Sequence, residues 1–232
     1  MGVPNLLSNV EVRCFDEGEL DEYEVFHRNM AKEIQNLPQN TANPAVLATV
    51  GWRSLRSYID LMKIMFVHRI LLLNHTSIYR MLFIRRFYYI VVSKVFNVSS
   101  PIAECVKACL RYGLVHKVIE CMQSGNIPSK QVWKKHVQGC IDDNQFATWR
   151  FETTLYPKLQ TFRVIVHGTQ PVCWWNMCKW LPFLKQPCIT VVKLLCGTNC
   201  LEENKKVNLP RGERICLHCT GNEVEDTLHF VM

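Results

Sequence analysis

The residues best suited to chemistry lie at the end of the chain. Cys216 and Cys219 form a Cys-x-x-Cys pair, and His229 follows ten residues after Cys219. Two thiolates on one tight turn give a bite suited to tetrahedral zinc, and a downstream imidazole supplies a third ligand. A structural zinc site is closed by four protein ligands, and the sequence ends three residues after His229. Two arrangements complete the set: the natural chain continues past Met232, or the site borrows a ligand. Cys196 and Cys200 stand upstream, giving Cys-x3-Cys-x15-Cys-x2-Cys, and His218 sits inside the pair. The plainer reading of Cys196 is a buried residue on a helix. A thioredoxin-like redox role would need a surrounding βαβ pattern, and none is visible.

A second set of residues suits polyanion binding. Between positions 53 and 94 the chain carries Arg53, Arg56, Lys63, Arg69, Arg80, Arg85, Arg86 and Lys94 against one acid, Asp60. Arg53, Arg56 and Lys63 fall on one helical face, apart from the apolar positions Leu55, Ile59, Met62 and Phe66. Such a face can neutralise phosphates. Arg85 and Arg86 precede Phe87, Tyr88 and Tyr89, a combination able to stack on unpaired bases. The competing reading is a solvated helix face beside a core aromatic cluster. Trp174, Trp175 and Trp180 offer a similar choice, with core packing the stronger alternative.

These residues need elements to position them, and the pattern is helical. Tyr23, Phe26, Met30, Ile34 and Leu37 recur at steps of three and four from Glu19 until Pro38. Further helices are expected over 45–50, 53–72 and 77–95, with Gly51 and Asn74-His75-Thr76 as breaks. Ser100-Pro101 is a start signal for the next, ending near Gly113. Others are expected up to Gln123, then over 129–140, 148–156, 158–166, 171–184 and 188–196. Asp142 and Asp143 read as a helix cap. The β-branched and aromatic run at 88–92 fits helix or strand. The expectation is an all-α multi-helix array with a small C-terminal zinc-knuckle-like appendix, truncated. It divides into an irregular acidic lead-in (1–18), a helical region (19–196) and the metal-type tail (197–232).

Composition supports a packed protein. The chain has 232 residues, 48% of them hydrophobic, and a formal charge of +7. The first thirty residues run against that balance, with two arginines facing seven acids. A basic body fits a polyanion partner and many ordinary basic proteins too. Twelve cysteines without a visible signal peptide point to a reducing, intracellular setting, cytoplasmic or nuclear. The apolar stretches at 61–73 and 81–96 are broken by charges, so no membrane partner is expected.

The segment Leu209-Pro210-Arg211-Gly212-Glu213-Arg214-Ile215-Cys216-Leu217-His218-Cys219, with Glu223-Val224-Glu225-Asp226-Thr227-Leu228-His229-Phe230, carries a resemblance. It resembles the zinc-binding region that follows the polymerase domain in non-long-terminal-repeat retrotransposon reverse transcriptases. Upstream, Ile34 to Thr41, Ala45 to Trp52, Met65 to Leu71 and Tyr156 to Leu159 resemble the post-polymerase segment of such elements, so the likeness covers about residues 26–232. The resemblance implies Cys216, Cys219 and His229 as zinc ligands, with the family's final cysteine absent. It implies RNA or DNA as partner, and the polymerase core of the same element as another. It does not imply catalysis. Polymerase chemistry needs carboxylates holding two divalent ions, and the one Asp-Asp pair, Asp142-Asp143, lacks the aromatic residue of that turn. The expected function is therefore a non-catalytic nucleic-acid-binding accessory region. The alternative is a structural or interaction module, or the inert remnant of a decayed mobile element.

Overall fold

The computed structural model describes residues 9–96, 99–166, 173–198, 209–216 and 223–224. The fold is all-α. Helices run in the order α1 (Glu17–Ile34), α2 (Asn43–Val50), α3 (Leu55–Leu71), α4 (Ile78–Ser93), α5 (Pro101–Arg111), α6 (Val115–Ser124), α7 (Lys130–Thr154), α8 (Gln160–Ile165), α9 (Cys173–Trp180) and α10 (Lys185–Leu195). Among the described residues the sole β feature is an isolated antiparallel bridge between Ile215 and Val224. None of the described helices is long and apolar enough to cross a membrane. The ambiguous run at 88–92 is helical, within α4.

The chain forms two compact units. One comprises Met1–Glu24 and Ser54–Gln145, the other Val25–Arg53 and Phe146–Met232. In the first, α5 packs against both α3 and α4. Its buried residues are small (Ala103, Cys105, Val106, Ala108, Cys109), which lets its neighbours approach closely. They fill in around it with Ile64, Val67, Leu71, Phe83, Phe87 and Ile90. Ser100 starts α5 as the sequence signalled: its Oγ accepts from Ala103 N at 3.1 Å, with Pro101 in the first turn. His68 is a core residue. Its Nε2 donates to Pro128 O at 2.8 Å, and its ring stacks on Trp133 at 5.7 Å.

In the second unit Gln35 is fully buried and fully used. Its Nε2 donates to Ala31 O and Val46 O, each at 2.9 Å, and its Oε1 accepts from the Thr49 hydroxyl. These bonds tie the segment after α1 to α2. Trp149 donates to Pro44 O at 3.1 Å and packs with Leu159, Phe162, Val192 and Leu195. Gly51 ends α2 in the left-handed region at φ 65°, where a side chain is disfavoured.

Two expected apolar stripes are rotated. On α1, Phe26 and Ile34 are about half exposed, while Leu20, Glu24, His27 and Ala31 are buried. On α3, Met62 faces outward, and the buried line includes Ile59, Asp60, Lys63, Ile64, Val67, His68 and Leu71. The cause is common to both. Polar residues with internal partners occupy the inner face, and a reading that counts only apolar residues places them outside. Asp142 and Asp143 do not cap a helix. α7 runs unbroken through both from Lys130 to Thr154, so the break expected between 140 and 148 is absent. Pro187 does not separate two helices but sits in the first turn of α10, where its missing N–H costs nothing. Trp180 is 84% exposed rather than part of a core, whereas Trp175 packs against the second unit's core.

Candidate nucleic-acid interface and tail cysteines

The basic residues of α3 are largely met by acids, and the acidic lead-in supplies two of them. Arg69 pairs with Glu11 at 2.7 Å, and Arg56 pairs with Glu17. Hydrogen bonds from these guanidinium groups hold the Glu11 and Glu17 carboxyls below their ordinary range. Glu24 adds a third contact, accepting from Arg56 N at 2.8 Å, where a carboxylate also favours the positive end of the helix. Ser54 caps the same end, its side chain accepting from Ser57 N at 3.2 Å.

Lys63 is not on a phosphate-facing surface. It is 3% exposed, and its Nζ lies 3.1 Å from Glu104, which also binds Lys107 at 2.8 Å. Burial pushes the Glu104 carboxyl up, but hydrogen bonds from both lysines, with their charges, outweigh this and bring it below its ordinary value. Asp60 is buried between Arg111 and the Tyr112 hydroxyl, which donates to it at 2.9 Å. Arg56 is half-buried in its pair with Glu17, and Arg53 is half-buried with contacts of its own. The spacing of Arg53, Arg56 and Lys63 was legible, but their acidic partners lie about 40 residues away along the chain for two of them, beyond the reach of local pattern.

α4 differs. It contains no Asp or Glu. Arg85 and Arg86 are exposed on it, with the Arg86 guanidinium 5.4 Å from the Tyr89 ring centre, a cation–π contact. Tyr88 and Tyr89 are 41% and 53% exposed, and Phe87 is fully buried. The helix thus separates the aromatic run that the sequence presents as one cluster. Phe87 joins Phe83 and Ile90 inside, while the tyrosines stay with the arginines outside. Tyr79, 73% exposed, belongs to this surface as well. Sequence reading missed it, although it lies seven residues before Arg86 and so on the same side of the helix. Ile78, Leu82 and Val92 complete an exposed apolar component.

In the tail, Cys216 is buried and its N–H donates to Glu223 O at 2.9 Å, beside the Ile215–Val224 bridge. Cys219, His229, His218 and Cys200 lie outside the described residues. Cys196 is fully buried just after α10, and burial pushes its thiol up to about 12. That matches a structural cysteine at this position. Among the described residues no three His, Cys, Asp or Glu side chains cluster as a metal site. Set against family models, curated proteins and solved structures, the chain finds no match.

Proposed function

We propose that this chain is a non-catalytic nucleic-acid-binding accessory region of a retroelement reverse transcriptase. α4 contacts single-stranded RNA or DNA, and the tail holds zinc through Cys216, Cys219 and His229. The observation that carries this reading is the outer face of α4, where Arg85, Arg86, Tyr79, Tyr88 and Tyr89 are exposed on a helix without acids. Cationic groups beside exposed rings suit a flexible polyanion whose bases stack without sequence readout. The interface is thereby narrower than the sequence suggests, centred on Arg85 and Arg86 rather than on Arg53, Arg56 and Lys63.

Fluorescence anisotropy with a labelled single-stranded RNA, titrated over a salt series, tests this. Replacing Arg85 and Arg86 together by glutamate should weaken binding at least about tenfold. It should also flatten the log–log salt dependence by a slope of about 0.7 for each phosphate that is no longer neutralised. Equal binding and equal slope for variant and parent would refute the interface. The variants belong on α4 because charge reversal at Arg56 would also set two carboxylates, the new one and Glu17, against each other.

The tail reading rests on the Cys-x-x-Cys spacing and the resemblance, with support from the antiparallel contacts around Cys216. Purified protein should hold about one zinc per chain, lost in Cys216→Ser. Metal content near zero in the parent would sink it.

A second reading is favoured by the apolar part of the same face. Ile78, Leu82 and Val92, each more than half exposed, suit docking to a protein such as the element's polymerase core. On that reading Leu82→Asp abolishes the association, and the double arginine reversal leaves RNA affinity unchanged.

A further inference from the structure

Two thiols meet within a helical hairpin of the second unit. α9 turns through the 3₁₀ stretch Pro182–Leu184 into α10, and the two helices pack together. The turn brings Cys178 Sγ within 3.4 Å of Cys188 Sγ. The zinc reading uses neither residue. A disulfide spans about 2.05 Å, so the sulfurs need to close by only about 1.4 Å, within the range of small side-chain rotations. The connection between the two helices is exposed at Leu181 and Phe183.

The two thiols are not equivalent. Cys188 is 8% exposed and lies among buried residues of α10, while Cys178 is half-buried and more open to solvent. Cys105 and Cys109 sit inside the first unit's core, with their thiols pushed well up by burial, and Cys105 donates to Lys63 O at 3.7 Å. They are inert by position.

We propose that Cys178 and Cys188 form a reversible disulfide, with a low-molecular-weight disulfide such as oxidised glutathione as oxidant and Cys178 as the attacking thiol. Cys178 loses its proton to solvent. Its thiolate attacks one sulfur of the oxidant and expels a glutathione thiolate, leaving a mixed disulfide. Cys188 then loses its proton and attacks the Cys178 sulfur, expelling the second glutathione thiolate. The protein gives up two protons and two electrons; glutathione disulfide is reduced to two thiols. Two reactive neighbours, rather than one exposed thiol, are what make the reaction end in a protein disulfide.

The test is a peptide map of the full chain. Reduced protein is incubated with oxidised glutathione, the remaining thiols are alkylated, and tryptic cleavage after Lys179 and Lys185 separates the two cysteines. The proposal expects the peptide 164–179 linked to the Cys188 peptide, about 2 Da lighter than the two thiol peptides apart from the alkyl group on Cys173, with fragmentation placing the bond on Cys178 and the alkyl group on Cys173, and with the thiols restored by dithiothreitol. In Cys188→Ser the glutathione should stay on Cys178; in Cys178→Ser residue Cys188 should carry none. The parent map needs no variant. Cys178 and Cys188 both recovered as alkylated thiols while other cysteines oxidise would overturn the proposal. So would glutathione retained on Cys178 without closure, or an adduct on Cys188 in Cys178→Ser.

Discussion

Lys63 shows how a single side chain can change meaning on folding. Its ammonium lies in the first unit's interior against Glu104, with Lys107 on the other carboxylate oxygen. Removing Lys63 leaves the half-buried Glu104 with Lys107 as its remaining cation, at a cost of about 1–3 kcal/mol. Lys63→Met should therefore lower stability by that order in a urea titration, even though it removes a charge from an already basic protein. The pair also has a pH signature. The Glu104 carboxyl is held below its ordinary value of 4.5. A depressed carboxyl contributes stability that is fully present above the unfolded value, about pH 4.5, and lost as pH falls through the lower folded value. The urea midpoint should fall between pH 6 and pH 3.5 in the parent. The fall should be shallower in Lys63→Met, where only Lys107 opposes the burial of Glu104. An equally steep fall in the variant would contradict the assignment. Nothing local in the sequence signals this pair, because its two members are 41 residues apart.

At the scale of the element, α4 carries two unlike faces. Phe83, Phe87 and Ile90 point into the core, and Tyr79, Arg85, Arg86 and Tyr89 point out. Phe87→Ala should cost about 3–5 kcal/mol of stability, as expected for a fully buried aromatic. Tyr89→Ala should cost less than about 1 kcal/mol and yet weaken RNA binding, since base stacking on one ring is worth about 1–3 kcal/mol. Paired denaturation and anisotropy measurements on the two variants separate the faces. A large stability loss in Tyr89→Ala would place that ring in the core instead. Much of this level was readable in advance: the Ser100-Pro101 start of α5, the Gly51, Gly113 and Gly125 helix ends, and the existence of α3 and α4 all rest on local backbone chemistry. The rotation of the buried stripes was not readable. Glu24, His27, Asp60, Lys63 and His68 are polar residues with internal partners, and only tertiary contact reveals them. The uninterrupted α7 belongs to the same class, since Asp142-Asp143 has the composition of a cap without being one.

For the whole molecule, composition and periodicity announce an all-α protein but not its partition. Each unit is drawn from two separated stretches of chain, 1–24 with 54–145 and 25–53 with 146–232. The helical body therefore does not divide at any single point along the sequence, and the turn signals that mark helix ends carry no information about which helices share a core. The charge asymmetry, in contrast, acquires a structural sense: the acids of the first thirty residues include the partners of Arg56 and Arg69, within one unit. The interleaving has a consequence for synthesis. A ribosome delivers Gln35, Pro44 and Val46 early, but Trp149, Phe162 and Val192, which complete their core, emerge more than a hundred residues later. The second unit cannot close until the first has been fully translated, so its early helices must wait with apolar surface uncovered, and that interval is when the nascent chain most needs a chaperone.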